Sequence, residues 1–442
     1  MQHGEPARIS AGRSGWITFA LTVTFMFNFL DRQVLALLVT PIKASLRLSD
    51  TEVSLLMGFA FVAFYGVAGI PLSRLIDRGS RKWILGLGLG FWSLMTLACG
   101  LAQNFAQLAL ARVGLGVGES CNTPATYSLV SDLYPRERLG RAISVINLGN
   151  VGGQGAALLL GGTLILWLSH ADLAGVPIIG GMRPWQVTFL LLGLPGVVWA
   201  AVILATVPEP ARRIAIERSG MPRLAEVGRF ALGMRRLYLA LIFAITIKAM
   251  LSFGASIWGP ALFERKYGWA TGAPGLYLGL VSLAAMPPGL LFGGWLADRL
   301  TARGRDDAHA LVLLWSTVLL LPFAILFPLM PSAPLALTAQ ACSLFFGAMG
   351  TGPGNAAIQV ITPGRMRGTL TAFYLAVMNV VGNGLGPLTV ALLTDRVFHD
   401  EAMLGTSMAI SAAVLAPLGV LLSWIALASY LPAVVAARAA DG

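Results

Sequence analysis

Long apolar runs recur along the whole chain and constrain its fold more than any other feature. A helix that crosses a bilayer needs about 20 mostly apolar residues, and the sequence contains twelve such runs. They lie at about 16–39, 53–76, 83–102, 105–131, 140–168, 185–207, 237–260, 273–297, 309–330, 333–361, 368–394 and 408–432. Only 12% of the 442 residues are charged, against about 25% in a typical soluble domain. We therefore predict an all-α membrane protein with twelve transmembrane helices.

The longest connection between the runs, residues 208–236, divides the chain into two six-helix halves, 1–207 and 237–442. Most of the 31 Lys and Arg residues fall in this linker, in the termini and in the loops on the same side as the termini. Cytoplasmic loops of membrane proteins carry such an excess of Lys and Arg. We therefore predict that the linker and both termini are cytoplasmic. The net charge of +11 then reflects topology, and we expect no nucleic-acid partner.

Three motifs recur in the same order in the two halves. SRLIDRGSRK after helix two matches GWLADRLTARGR after helix eight. YPRERLGRA at the end of helix four matches TPGRMRGTL at the end of helix ten, and NVGGQGAA in helix five matches NVVGNGLGP in helix eleven. Matched motifs half a chain apart indicate a duplicated six-helix unit, with the two copies related by an axis along the membrane normal.

Cysteine and histidine are few and scattered. The three cysteines, Cys99, Cys121 and Cys342, lie in separate apolar runs, and the four histidines lie at or near predicted loops. This distribution predicts neither a disulfide nor a metal site. We also expect no cofactor and no enzymatic activity.

Five charged side chains interrupt the apolar runs: Asp31, Arg32, Arg112, Glu119 and Lys248. A charge at the bilayer centre costs about 2.5–3.5 kcal/mol on insertion scales, so such residues are functional candidates. Asp31 lies roughly 22 Å into helix one, too deep for its carboxylate to reach either interface easily. We predict that Asp31 faces the central cavity and titrates as a proton-coupling group. The alternative is a structural pair with Arg32 or Arg112.

The other intramembrane charges also allow two interpretations. Arg112 and Glu119 are seven residues apart and share one face of helix four, which suits a substrate with a negative group and makes Glu119 a proton or cation acceptor. The alternative is an ion pair that bridges helices one and four. Lys248 in helix seven lies about one turn from the position that corresponds to Asp31 in the second copy of the repeat. Its ammonium either holds a phosphate or carboxylate headgroup or acts as a structural neutraliser. Arg32 is open between substrate binding and a structural role.

Short motifs connect the chain to a known family. Residues 73–82, SRLIDRGSRK, resemble the loop signature G-x-L-x-D-R-x-G-R-K of the major facilitator superfamily, with serine in place of both glycines. NFLDR in helix one and RVGLGVGES in helix four resemble the spinster-like branch of that superfamily. The resemblance implies the major facilitator fold. Animal members of this branch export sphingosine-type lipids or lysophospholipids, and spinster-like proteins use the residues matching Glu119 and Arg112 in substrate binding or proton coupling.

The resemblance also implies a conformational gate. The gate candidates are Asp77, Arg78, Arg81, Asp298 and Arg299. In the superfamily, the aspartate that matches Asp77 pairs with groups across the interface of the two halves and stabilises the outward-facing state. Asp298 and Arg299 are expected to act likewise in the second half. For Arg81 and Lys82, ordinary topogenic charge is the simpler interpretation.

Together these features predict a proton-coupled secondary active transporter that moves a lysolipid, sphingoid or similar amphiphile by alternating access. Asp31 and Glu119 would couple protons, and Arg32, Arg112 and Lys248 would bind substrate. One alternative is a proton-coupled carrier of small organic anions, and one from another class is a non-transporting lipid scramblase or membrane receptor. We expect a monomer in the cell membrane, the cytoplasmic membrane in a bacterium, with substrate, protons and membrane lipids as partners.

Overall fold

The computed structural model describes residues 11–134, 136–171, 175–176, 179–210, 224–363 and 366–441. Regular structure in these ranges is helical throughout. The α-helices are α1 (Ala11–Leu37), α2 (Val39–Leu46), α3 (Asp50–Ser54), α4 (Ala60–Arg78), α5 (Arg81–Leu101), α6 (Phe105–Glu119), α7 (Asn122–Leu133), α8 (Arg136–His170), α9 (Pro184–Thr206), α10 (Leu224–Gly233), α11 (Arg235–Tyr267), α12 (Ala273–Ala302), α13 (Ala308–Leu326), α14 (Ala333–Met349), α15 (Thr351–Val360), α16 (Arg367–Val377), α17 (Gly386–Leu392) and α18 (Leu404–Asp441). Short π-helices lie at Leu55–Phe59, Met378–Leu385 and Leu393–Phe398, and short 3-10 helices at Phe327–Leu329 and Glu401–Met403.

Ten helical segments of the described chain are long and apolar enough to cross a membrane. The number is eleven if α1 and α2, which meet at a bend of 59°, form one span. The predicted fourth span, 105–131, is covered by two shorter helices, α6 and α7, that meet at Ser120 and Cys121. The expected count of twelve spans and the cytoplasmic position of both termini remain predictions.

The described residues cluster into two compact units. Unit 1 takes its residues from Met1–Leu48, Ala60–Glu217 and Ala270–Gly279. Unit 2 takes its residues from Ser49–Phe59, Arg218–Trp269 and Leu280–Gly442. Each unit therefore contains a short segment from the opposite half of the sequence.

Unit 1 places charged side chains among tightly packed helices. In it α1 packs on α8, α5 packs on α9, and α4 packs on α6. The Asn104 side chain accepts a hydrogen bond from the Gln107 N–H at 3.0 Å and so caps the start of α6. A side chain at Gly116 would clash with the backbone of α4, because an added Cβ would lie 2.5 Å from the Phe61 carbonyl oxygen. The absence of a side chain at Gly116 therefore allows α4 to lie close to the helix that carries Arg112 and Glu119.

Unit 2 is arranged around α11, which packs on α18, α17 and the π-helix Met378–Leu385. The middle of α11 is almost fully buried, including Lys248 and Trp258. The short segment Ser49–Phe59, which belongs to this unit, begins with a capping box. There Glu52 accepts from the Ser49 N–H at 2.8 Å, and the Ser49 hydroxyl accepts from the Glu52 N–H at 3.2 Å.

Candidate functional site

An ion pair between Arg32 and Glu119 joins α1 to α6 inside unit 1. The Arg32 Nε and Nη2 atoms donate to Glu119 Oε2 at 3.0 and 2.8 Å. Glu119 is completely buried, and the Arg32 side chain is 22% exposed. The second carboxylate oxygen, Glu119 Oε1, is buried and has no hydrogen-bond partner within the described part of the chain. One oxygen of this carboxylate is therefore paired, and the other is still able to accept a proton.

Aromatic rings surround the Arg32 guanidinium. Its central carbon lies 4.5 Å from the centre of the Phe61 ring, 5.4 Å from Tyr65 and 5.7 Å from Phe29. Arg112 lies 5.4 Å from the Phe61 ring as well. A cation over an aromatic face is attracted by the ring quadrupole, and more strongly so where water is excluded. The two arginines therefore share one aromatic side chain.

Asp31 and Arg112 are both buried next to this pair. The Arg112 Nη1 atom donates to the backbone carbonyl of Asp31 at 3.3 Å, so it contacts α1 through the main chain. Thr96 of α5 interacts with the Asp31 carboxyl group. Asp31 is 3% exposed and Arg112 is 1% exposed. The four charges that the sequence singled out in helices one and four are thus brought together in unit 1.

The partners within this cluster differ from the simplest reading of the sequence. The alternative considered for Asp31 was a structural pair with Arg32 or Arg112; the Arg32 guanidinium binds Glu119, and Arg112 contacts the Asp31 main chain. The suggested ion pair between the first and fourth predicted spans is present, and it joins Arg32 of α1 to Glu119 of α6. The roles assigned to these residues in proton coupling and substrate binding remain predictions.

Lys248 lies in unit 2 and is 8% exposed. Its ammonium donates to the Ser316 hydroxyl at 2.7 Å, and Ser316 donates in turn to the Leu313 carbonyl at 2.8 Å. No carboxylate forms an ion pair with Lys248 among the residues that the structure describes. This lysine is therefore a buried cation with a neutral partner.

Four of the five gate candidates lie near exposed helix ends. Asp77 and Arg78 are exposed at the end of α4, and Asp298 and Arg299 are exposed near the end of α12. The Arg299 guanidinium lies 5.4 Å from the Trp295 ring. The gating role of these residues remains a prediction.

Arg81, the fifth gate candidate, is 0% exposed and forms the centre of a polar network. It forms an ion pair with Asp132 and donates from Nε to Glu209 at 2.7 Å. It also donates to the backbone carbonyls of Ser128 at 3.1 Å and Pro210 at 2.6 Å. The solvated topogenic charge expected at this position is therefore replaced by a buried guanidinium that joins α5, α7 and the segment after α9.

Glu209 completes this network from the segment that follows α9. Burial favours a higher pKa for Glu209, but hydrogen bonds from the Lys82 N–H, the Ser80 hydroxyl and the Arg81 guanidinium outweigh it and hold the pKa below its ordinary value. The Lys82 N–H lies 2.9 Å and the Ser80 hydroxyl 2.7 Å from Glu209. Sequence reasoning missed Glu209 and Asp132, although a Pro-Glu-Pro run after an apolar span was visible.

Another buried ion pair, also missed from the sequence, lies in unit 2. Arg265 donates from Nη1 and Nη2 to the two carboxylate oxygens of Asp50 at 2.7 and 2.8 Å. Asp50 is 0% exposed. The neighbouring Thr51 donates from its N–H and its hydroxyl to Asp395 at 2.6 and 2.7 Å. These contacts attach the segment Ser49–Phe59 to α11 and to the π-helix Leu393–Phe398.

Comparison with known proteins identifies the family to which this chain belongs. The family model described as Major Facilitator Superfamily matches residues 21–387. The chain belongs to this superfamily. An MFS-type efflux pump of Mycolicibacterium smegmatis is 29% identical over 426 residues, covering 95% of this chain and 94% of the pump. Protein spinster homolog 1 of Homo sapiens is 24% identical over 411 residues, covering 88% of this chain and 74% of that protein.

A solved structure supports the same fold. The crystal structure of a bacterial homolog to the human lysosomal transporter Spinster, in an inward-facing and unoccupied conformation, matches with a TM-score of 0.78. The two chains are 24% identical, and the match covers 97% of this chain and 98% of the other. The chain is thus a multi-pass transporter with the major facilitator fold, and it is similar to spinster proteins in sequence and in fold. The family and its structural neighbours are transporters rather than enzymes.

Proposed function

We propose that this transporter is a proton-coupled secondary carrier of a lysolipid, sphingoid or similar amphiphile, and that it works by alternating access in the cell membrane. The observation that carries the proposal is the Glu119 carboxylate, with Oε2 bound by Arg32 and Oε1 buried without a hydrogen bond among the described residues. A proton on Glu119 removes its attraction for Arg32. Protonation therefore weakens one contact between α1 and α6 and links proton binding to a structural change.

Asp31 has the second proton-coupling role in this proposal. Its carboxyl group is buried beside Glu119 and Arg112, and like charges in one buried site disfavour each other. A proton on either carboxyl group therefore makes ionisation of the other easier. Asp31 and Glu119 would titrate as a coupled pair rather than as independent groups.

The surroundings of the cations support this substrate class. Arg32 and Arg112 offer positive charge, and Phe61, Phe29 and Tyr65 offer apolar surface beside it. An amphiphile with a polar headgroup and an alkyl chain matches both features. When Glu119 is protonated, Arg32 would release its carboxyl group and bind the substrate headgroup instead. Asp77, Arg78, Arg81, Asp298 and Arg299 would act as conformational gate residues.

The proposal is tested by replacing Glu119 with Gln in the full-length protein reconstituted in proteoliposomes. A pH gradient should drive accumulation of radiolabelled lysophospholipid or sphingosine in the wild type but not in Glu119→Gln. Counterflow without a gradient should persist in the variant, because exchange of bound substrate does not consume a proton gradient. Glu226→Gln, which alters a carboxylate of α10 outside the candidate spans, is the matched control. Unchanged gradient-driven uptake with an unchanged pH profile would overturn the assignment to Glu119.

The same assay separates a carrier from a scramblase. Substrate on the opposite side accelerates a carrier, whereas a scramblase moves lipid at a rate independent of it. Equal rates with and without opposing substrate would support the scramblase. A receptor would show binding without movement of substrate in either condition.

A second candidate function is the proton-coupled transport of small organic anions. It is favoured by Lys248, a buried cation with no carboxylate partner in the described residues. Small anions need a compact charged site and little apolar surface. Counterflow with a short-chain anion and no response to lysolipids would favour this alternative.

A further inference from the structure

Lys248 is deep inside unit 2. It is the fourteenth residue of α11, so its Cα lies roughly 20 Å from the start of the helix at 1.5 Å per residue. It is followed by 19 more residues of the same helix. A lysine side chain is too short to bring its charge to either end of such a helix. Its ammonium therefore has to find its partners within the protein.

The partner that the structure supplies is fixed in orientation. The Ser316 hydroxyl donates a hydrogen bond to the Leu313 carbonyl at 2.8 Å. Its oxygen therefore accepts the hydrogen bond from Lys248 through a lone pair, at 2.7 Å. An ammonium has three N–H donors, and this contact uses one of them. Two donors of Lys248 are therefore left without a protein acceptor among the described residues.

A glycine completes the wall of this site. A Cβ added at Gly350, between α14 and α15, would lie 2.1 Å from Lys248 Nζ and 2.0 Å from Ser316 Oγ. Both distances are far below van der Waals contact, so a side chain at this position would displace the ammonium or the hydroxyl. The backbone between α14 and α15 approaches the two groups closely because residue 350 has no side chain.

The electrostatic surroundings of Lys248 are neutral. The elements that pack on α11 are α10, α14, α15, α16, α17, α18, the π-helix Met378–Leu385 and the 3-10 helix Glu401–Met403. Among the described residues of these elements and of α13, no carboxylate, histidine or second cation acts on the Lys248 ammonium. A buried ammonium without a counter-ion is costly. The amine avoids this cost either by losing its proton or by binding an anion.

We propose that Lys248, with Ser316 beside it, binds the carboxylate or phosphate group of an anionic substrate, and that the amine gains a proton as the anion enters. The inference rests on the proposed transport function and adds a proton site in unit 2 that is independent of Glu119. No bond other than N–H is made or broken. The proton comes from the solvent, and it neutralises one negative charge of the bound group.

Calorimetric titration of the purified full-length protein near pH 8 tests the proposal. The two probes are glycerol 3-phosphate, a small phosphate, and lysophosphatidic acid, a phosphate on a lipid chain. Titration in two buffers that differ in ionisation enthalpy measures the protons taken up on binding. We expect about one proton per bound anion in the wild type. Binding of glycerol 3-phosphate identifies a free phosphate as sufficient, and binding of only lysophosphatidic acid identifies a lipid headgroup.

Variants at Lys248 separate charge from packing. Lys248→Met should weaken binding of the anion roughly tenfold to hundredfold, the range of a hydrogen bond to a charged group. Lys248→Arg should keep anion binding but lose the proton uptake, because arginine stays protonated. Gly350→Ala should also weaken binding, since its Cβ occupies the space of the ammonium. Lys266→Met, on the same helix, is the control, and uncharged monoolein should bind equally to all variants.

Any one of three results would overturn the inference. The first is that neither anion binds the wild type, and the second is that Lys248→Met binds both probes with unchanged affinity. The third is that anion binding by the wild type takes up no proton. One further outcome would also overturn it. If proton uptake were lost in Glu119→Gln but kept in Lys248→Arg, the group that takes up the proton would be Glu119 in unit 1. That result would contradict the role of Lys248 and would be consistent with the proposed transport function.

Discussion

In unit 1 the Arg32 guanidinium gives two hydrogen bonds to a buried carboxylate, whereas in unit 2 the Lys248 ammonium meets a serine hydroxyl. Both cations lie deep in apolar surroundings, and both must offset the loss of hydration. The Arg32 site does this with a charge from the protein. The Lys248 site contains no such charge in the described residues.

Under the proposal made for Lys248, this difference separates a charge that stabilises the fold from a charge that is available to a ligand. Removing one member of a buried pair leaves the other uncompensated, so the loss of stability is large. Without ligand, Lys248 either buries an uncompensated charge or gives up its proton, and its replacement by an apolar side chain relieves that cost. The two sites therefore predict opposite changes in stability when the cation is replaced by methionine.

The largest effect is expected for Arg32→Met. This change leaves the Glu119 carboxylate buried without its partner and should lower the free energy of unfolding by about 3–5 kcal/mol. Chemical unfolding in detergent, followed by fluorescence, measures the change. The double variant Arg32→Met with Glu119→Gln should recover most of the loss. A loss of the same size in the double variant would show that packing around Phe61, not charge, is responsible.

A smaller loss is expected for Asp50→Asn in unit 2. The change breaks the two-point contact with Arg265, but Arg265 keeps Glu401 at 3.7 Å and partial access to solvent. We expect a decrease in the free energy of unfolding of about 2–3 kcal/mol. This result would show that the contrast is local to Lys248 rather than general to unit 2. An unchanged unfolding curve would show instead that unit 2 tolerates unpaired charge throughout.

An increase in stability is expected for Lys248→Met without ligand. Methionine has a similar length, fills the same space and needs no counter-ion, so the free energy of unfolding should rise by about 1–2 kcal/mol. Unfolding in detergent without added anion provides the measurement, and Lys248→Arg, which keeps a charge there, should not share the gain. A decrease as large as that of Arg32→Met would contradict the comparison, because it would mean that Lys248 is already compensated.

The smallest effect concerns Glu209, whose carboxylate is partly exposed to solvent. Its folded pKa is below the ordinary value of 4.5, so the carboxylate stabilises the fold above that pH, and the contribution is lost as the pH falls through the folded pKa. The side chain of Glu209 is 32% exposed, so screening limits the effect to less than about 1 kcal/mol. Unfolding of wild type and Glu209→Gln between pH 7 and pH 3 should give curves that converge at low pH. A constant gap would rule out ionisation of Glu209 as the cause.

Sequence reasoning worked best where one physical demand dominates. The bilayer requires apolar helices of a minimum length, and ten predicted runs correspond to helices of the required length and hydropathy. The fourth run differs, since α6 ends at Glu119 and α7 begins at Asn122. That break depends on local backbone geometry, which hydropathy does not encode.

The burial of the charged residues and an ion pair between the first and fourth spans were also predictable, but the residue of the first span that forms the pair was not. Asp31 and Arg32 are neighbours in sequence and point in directions about 100° apart on a helix. Which of them meets Glu119 depends on the rotation of α1 against α6. The burial of Arg81 was missed for a related reason, because its partners Asp132 and Glu209 lie 51 and 128 residues away.

Each unit contains a short segment from the other half of the sequence, so some contacts form only late in synthesis of the chain. Asp50 and Thr51 leave the ribosome early, but the π-helix that accepts the Thr51 hydrogen bonds is 344 residues further along the chain. At about 5–20 residues per second, that separation corresponds to a delay on the order of tens of seconds. For the first 215 residues of that interval, the Asp50 carboxylate has no Arg265 with which to pair. A nascent chain of this protein therefore has to keep one acidic residue hydrated until more than half of its length has been made.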